Sequence, residues 1–89
     1  MISTKLIVYG RVQGVGFRFY IKTQANKYNI NGYIKNLIDG SVEIVAQGQE
    51  SDLNSFKASI IRGNGFSRVE NIEEERFSEK NFSLFSVKY

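Results

Sequence analysis

Residues 5–11 (KLIVYGR) are rich in β-branched and aromatic side chains and read as a first strand. The period then changes. Phe17, Tyr20, Ile21, Gln24, Ala25 and Tyr28 recur three and four apart, all but Gln24 apolar, which predicts one face of a helix. That helix is expected to stop near Asn29, since asparagine tolerates the left-handed conformation that closes many helices. Two strand-like runs, INGYIKNL and SVEIVAQG, flank Asp39-Gly40, a dipeptide suited to a type I′ turn, and predict a hairpin. Ser51 is the expected N-cap of a second helix, with Leu53, Phe56, Ile60 and Ile61 as its stripe and Gly63 as its stop. Residues 64–67 (NGFS) read as loop. Residues 69–77 predict a fourth strand, in which Val69 and Ile72 fall out of period-two phase, the mark of a bulge or bend. Phe85, Val87 and Tyr89 alternate and form a fifth strand or strand-like tail.

The resulting order, β-α-β-β-α-β, is that of an α+β ferredoxin-like split βαβ sandwich, with two helices on one face of an antiparallel sheet. With 89 residues and no repeat, linker or low-complexity segment, residues 1–89 are expected to form one domain.

Composition narrows the chemistry. Hydrophobic residues are 42% and aromatics 13% of the chain, enough for a packed interior, which argues against disorder. No run reaches the roughly 18 apolar residues of a membrane span, and MISTKLIVYG reads as a strand and not as a signal peptide. The chain has no cysteine, so disulfides and thiolate chemistry are absent and a cytoplasmic setting is expected. It also has no histidine, the commonest general base near neutral pH and the commonest metal ligand. Residues 1–40 hold six Lys or Arg against Asp39 alone, whereas residues 41–89 hold six against eight acids. A basic first half suits an anionic ligand. Glu73, Glu74 and Glu75 read as a solvated edge.

GRVQGVGFR, residues 10–18, places three glycines before an arginine where the helix begins. Glycine permits positive φ and lets backbone N–H groups approach a ligand with no Cβ in the way. Such N–H groups form an anion nest, and a following helix N-terminus adds free donors and the positive end of its macrodipole. Arg18 falls in that first turn, an unfavourable place for a cation unless an anion lies between loop and guanidinium. A tight turn with Arg18 as a surface charge accounts for the glycines equally well. Both readings stay open on this stretch alone.

GYIKNLIDGSV, residues 32–42, sets Asn36 near the end of a strand, three residues before the turn. Alone, Asn36 reads as an ordinary polar strand residue. Together with GRVQGVGFR, in the same order and separation, it resembles the acylphosphatase family. The two signatures of that family are a G-x-V-Q-G-V-x-F-R loop and a G-(Y/W)-(V/I)-x-N-x-x-D-G-x-V hairpin. The resemblance extends over the whole chain, through Ala46-Gln47-Gly48 and a terminal F-x-x-F-x-V-x-Y pattern formed by Phe82, Phe85, Val87 and Tyr89. It implies that the backbone of Gln13, Gly14, Val15, Gly16, Phe17 and Arg18 cradles a phosphate, that the Arg18 side chain binds it, and that Asn36 positions the attacking water. The implied reaction is hydrolysis of a small-molecule acyl phosphate to a carboxylate and inorganic phosphate, the latter being product and inhibitor, with no metal and no cofactor. Ile38, Asn29 and residues 63–67 depart from the family's usual choices, the last by lacking prolines, and bear on stability and loop order more than on chemistry.

Elementary chemistry agrees with that implication. A carboxylate leaves without a proton, so no general acid is required. Phosphoryl transfer depends mostly on positioning and charge stabilisation, which backbone dipoles and one arginine can supply. The Asn36 amide has no useful pKa, but its oxygen can accept from water while its NH2 donates to a phosphoryl oxygen.

Two rival readings belong to other classes. RNA-recognition domains share this element order, and GVGFRFY loosely echoes their RNP1 pattern. RNP1 belongs on the third strand, however, and SVEIVAQG has no aromatic for stacking. No nucleic-acid or membrane partner is therefore expected, and the chain is expected to be a monomer. The other rival is an acylphosphatase-like module used for assembly or carbamoyl transfer within a larger maturation protein; fold alone does not decide between them.

Overall fold

The computed structural model describes residues 1–78 and 81–89. Seven elements follow one another as β1 (Ile2–Arg11), α1 (Phe17–Lys27), β2 (Asn31–Asn36), β3 (Val42–Gly48), α2 (Glu50–Arg62), β4 (Arg68–Phe77) and β5 (Phe85–Lys88). The strands form one sheet in the order β4-β1-β3-β2-β5. β1 and β3 pair from Ile2↔Gly48 to Val8↔Val42, which places β3 between the two strands of the split βαβ unit. The expected ferredoxin-like order is present, with one amendment to the antiparallel sheet: β5 runs parallel to β2, from Gly32↔Phe85 to Lys35↔Lys88.

Alternation along the strands decides which face the helices cover. Leu6 and Val8 of β1, Ile34 of β2 and Val42, Ile44 and Ala46 of β3 are buried against Phe17, Ile21 and Ala25 of α1 and Leu53, Phe56 and Ile60 of α2. Phe85 closes the β5 side, edge-on to Phe56 with ring centroids 6.1 Å apart. Truncating a side chain as fully enclosed as Phe56 costs about 3–5 kcal/mol. β1 starts earlier than the apolar pattern suggested because Ser3 and Thr4 are buried polar residues with partners. Ser3 Oγ accepts from Gln47 Nε2 at 2.9 Å, and Thr4 Oγ1 donates to Glu74 Oε2 at 2.8 Å.

The expected end of α1 holds. Tyr28 is the C-cap, Asn29 adopts φ 58, and Ile30 N donates to Ala25 O at 2.8 Å, a Schellman closure with asparagine where glycine is usual. The expected bulge is present as well: Tyr9 pairs with Asn71 and Gly10 with Val69, leaving Glu70 as the extra residue.

Three local expectations are corrected. The β2–β3 turn is not type I′, which needs positive φ at both central residues, because among the described non-glycine residues only Asn29 has one. Gly40 N donates to Leu37 O at 3.2 Å, Leu37 N to Ser41 O at 2.8 Å, and Gly40 has φ 93, a type I turn followed by a G1 bulge. The N-cap of α2 is Gln49 and not Ser51: Leu53 N bonds to Gln49 O at 2.9 Å, and Glu50 and Asp52 occupy the first turn, where their charge suits the macrodipole. Finally, Ile61 is 63% exposed while Ser59 is buried, because the α1-facing side of α2 receives the Tyr20 hydroxyl, which donates to Ser59 O at 2.7 Å.

Candidate functional site

The split βαβ unit brings the β1–α1 loop and the end of β2 to the same edge of the fold. In that loop Gly14 has φ 71 and Gly16 φ 76, both left-handed, and a Cβ built on Gly14 meets no atom within 4 Å. Glycine there answers a backbone conformation and leaves open space above it. Gly16 is the N-cap of α1 and gives no side-chain cap, and the first turn contains no acid. The first helical bond at this end runs from Tyr20 N to Gly16 O at 3.1 Å, so the N–H groups of Phe17, Arg18 and Phe19 have no intrahelical acceptor.

Arg18 is half-buried. Its Nη1 donates to Lys88 O at 3.2 Å and its Cζ lies 4.7 Å from the centroid of the Tyr89 ring, so the far end of β5 holds the guanidinium. Asn36 is the last residue of β2, opposite Val42. Its Oδ1 is buried and accepts no hydrogen bond among the described residues. A buried acceptor without a donor is costly unless a ligand or water supplies one.

A pocket of about 590 Å³ brings Gln13, Gly14, Gly16, Phe17, Arg18 and Asn36 together. Val15, also expected in the cradle, is not on the lining; its carbonyl accepts from Asn64 Nδ2 at 2.9 Å and its side chain packs against the core. The Gln13 side chain is likewise committed elsewhere, with Nε2 donating to Leu37 O at 2.8 Å and Ser41 O at 2.9 Å, which ties the glycine loop to the turn after Asn36. Sequence reasoning missed Asn64, Lys22, Phe19, Leu84, Val87 and Tyr89 around the site. Lys22 had a usable signal, since it lies four residues after Arg18 on one helix. Phe19 adjoins Arg18 in the same turn of α1, and the others depend on the folded juxtaposition of distant segments. Among the described residues, Arg18 and Lys22 are the charged side chains of the lining, and no Asp or Glu side chain joins them.

The fold and this edge together define a ferredoxin-like α+β protein carrying a basic, donor-rich pocket between β1, α1, β2 and β5. A family model described as Acylphosphatase matches residues 4–87. The acylphosphatase of Petrotoga mobilis is 44% identical over 89 residues, covering all of both chains. Among solved structures, the acylphosphatase from Bacillus subtilis superposes with a TM-score of 0.96 at 41% identity, again over the whole of both chains. T. kodakarensis HypF superposes with a TM-score of 0.88 at 32% identity, over all of this chain but 12% of that one. The chain belongs to the acylphosphatase family, and with relatives of this identity along their full length it is a hydrolase. No described helix is long and apolar enough to cross a membrane.

Proposed function

We propose that this chain hydrolyses small-molecule acyl phosphates to a carboxylate and inorganic phosphate without a metal or other cofactor, and that residues 1–89 act as one domain. The observation that carries the reading is the meeting of the glycine loop, the first turn of α1, Arg18 and the unpaired Asn36 Oδ1 in one pocket. Free N–H groups from the loop and first turn hold the phosphoryl oxygens, and the Arg18 guanidinium, anchored by Lys88 O and Tyr89, adds a fixed positive charge. Asn36 Oδ1 accepts a hydrogen bond from the attacking water, and Nδ2 donates to a phosphoryl oxygen.

In the reaction the water oxygen bonds to phosphorus as the bridging P–O bond breaks, and the acyl group leaves as a carboxylate. The proton lost by the water goes to a phosphoryl oxygen, so the substrate serves as its own base. The leaving group needs no acid, which removes the main demand for histidine. Preorganised donors carry the rest, each worth on the order of 3 kcal/mol in the transition state.

The test is benzoyl phosphate hydrolysis by wild type and Arg18→Ala in EDTA, with inorganic phosphate as competitor. Metal-independent turnover that falls about a hundredfold or more in the variant, with weakened phosphate inhibition, is expected. No turnover from folded wild type contradicts the proposal and favours a non-catalytic module instead; in T. kodakarensis HypF the matching fold is only 12% of a longer chain.

A further inference from the structure

An acyl phosphate has two electrophilic centres, phosphorus and the acyl carbon, and the hydrolysis proposed above uses only the first. The present inference rests on that reading, because it needs the substrate held in the same cradle. Water attacking phosphorus releases a carboxylate, whereas an amine attacking the acyl carbon releases phosphate and leaves an amide. The side chain that bears on the second route is a lysine within reach of the bound substrate.

The lysines differ in what engages them. Lys5 and Lys35 lie 3.8 and 4.0 Å from Glu43, and Lys57 lies 3.2 Å from Glu74. Lys27 and Lys88 stand over the rings of Tyr28 and Tyr33, 5.3 and 4.0 Å from the centroids. Among the described residues, Lys22 is the one lysine with neither a carboxylate nor a ring as partner, and it is also the one on the lining of the cradle pocket. It follows Arg18 by four residues in α1, which sets the two Cβ atoms about 5–6 Å apart on one face. Helical side chains lean toward the N-terminus of their helix, so the Lys22 stem runs back over the turn that holds Arg18 and toward the cradle. No acid on the lining holds its ammonium away from a ligand.

We propose that Lys22 is a modification site, acylated by the acyl phosphate bound in the cradle. In this step the free amine at Nζ bonds to the acyl carbon, the bond from that carbon to the bridging oxygen breaks, and the amine's proton passes to the departing phosphate. The products are an acyl-lysine and inorganic phosphate. A lysine reacts only as the free amine, a small fraction near neutral pH, so the step is a slow side reaction of hydrolysis. It removes one of the two positive charges of the lining and so weakens the hold on an anionic substrate.

The experiment incubates wild type, Arg18→Ala and Lys22→Arg with benzoyl phosphate, with and without inorganic phosphate. Benzoylation of each lysine is followed by peptide mass spectrometry, and hydrolysis is assayed in parallel. Lys27, exposed in the last turn of the same helix, is the internal reference. In wild type Lys22 should be benzoylated about tenfold or more faster than Lys27, the gain from holding amine and acyl donor together. Inorganic phosphate, or Arg18→Ala, should bring Lys22 down to the Lys27 rate and leave Lys27 unaffected. On prolonged exposure, wild type should lose turnover at subsaturating benzoyl phosphate in step with Lys22 modification, while Lys22→Arg, which keeps the charge and lacks the amine, should hold its own starting rate. A Lys22 rate equal to that of Lys27, or a faster one that phosphate does not slow, overturns the modification site and leaves the hydrolytic activity standing. Absence of hydrolysis by folded wild type refutes that activity and this inference with it.

Discussion

Gln13→Ala separates a structural tie from a ligand contact. Gln13 Nε2 bridges Leu37 O and Ser41 O at 2.8 and 2.9 Å, joining the glycine loop to the turn that follows Asn36. Both carbonyls also accept within the turn, from Gly40 N and Leu37 N, so truncating Gln13 orphans neither. The loss is that of two ordinary hydrogen bonds at about 1 kcal/mol each, or about 2 kcal/mol. For a chain of this size that lowers Tm by about 8–16 °C. Gln13→Glu keeps the length but turns an acceptor-only carboxylate toward two carbonyl oxygens, so it should be less stable than Gln13→Ala. Thermal and urea unfolding followed by circular dichroism read the order Gln, Ala, Glu directly. A Glu variant as stable as wild type, or an Ala variant of full stability that has lost phosphate affinity, would refute the tie and place the side chain on the ligand.

Other consequences follow from single contacts. Gly14→Val meets no crowding, but at φ 71 it should cost about 1–2 kcal/mol and impair turnover; a fully active Gly14→Val enzyme contradicts the backbone cradle. Asn64→Asp retains an acceptor for Phe66 N and Ser67 N but loses the donor to Val15 O, so phosphate inhibition should weaken severalfold with a smaller loss of stability than in Asn64→Ala. Equal phosphate inhibition in wild type and both variants contradicts that support. Burial, the hydrogen bond to Glu43 and that carboxylate's charge push the Tyr33 phenol up to about 12 from 10.0. Because the folded value is the higher one, this contribution is complete below the unfolded pKa of about 10 and is lost as pH rises toward 12. Stability measured across that window should decline less steeply in Tyr33→Phe, and an unchanged slope contradicts the assignment.

Element type and order were legible because the chain's periods are clean: Phe17, Ile21 and Ala25 mark α1, and Leu6, Val8, Ile44 and Ala46 mark strands that bury one face. What escaped was decided by competition between neighbouring choices. Asp39-Gly40 suits two turn types, and Asp39 Oδ1 accepts from both Ser41 N and Ser41 Oγ around the G1 form. Gln49, with its carbonyl, opens α2 ahead of the more favoured Ser51, and Ser59 takes the buried position that apolar counting gave to Ile61. The parallel direction of β5 has no local signature, since it depends on the chain crossing to the far side of β2. At the site, Arg18 and Asn36 were readable through two motifs that the fold brings to one pocket. The Gln13 and Asn64 ties were not, because each joins segments 24 or more residues apart.

Division of labour in the pocket, with phosphate held by loop and Arg18 and water held by Asn36, is tested most directly by Asn36→Ala. The measurement is kcat on benzoyl phosphate together with the inhibition constant of inorganic phosphate. The account predicts a fall in kcat of about a hundredfold with phosphate affinity largely retained. Equal losses in both would make Asn36 a phosphate ligand, and an unaltered kcat would leave the buried Oδ1 without a catalytic part.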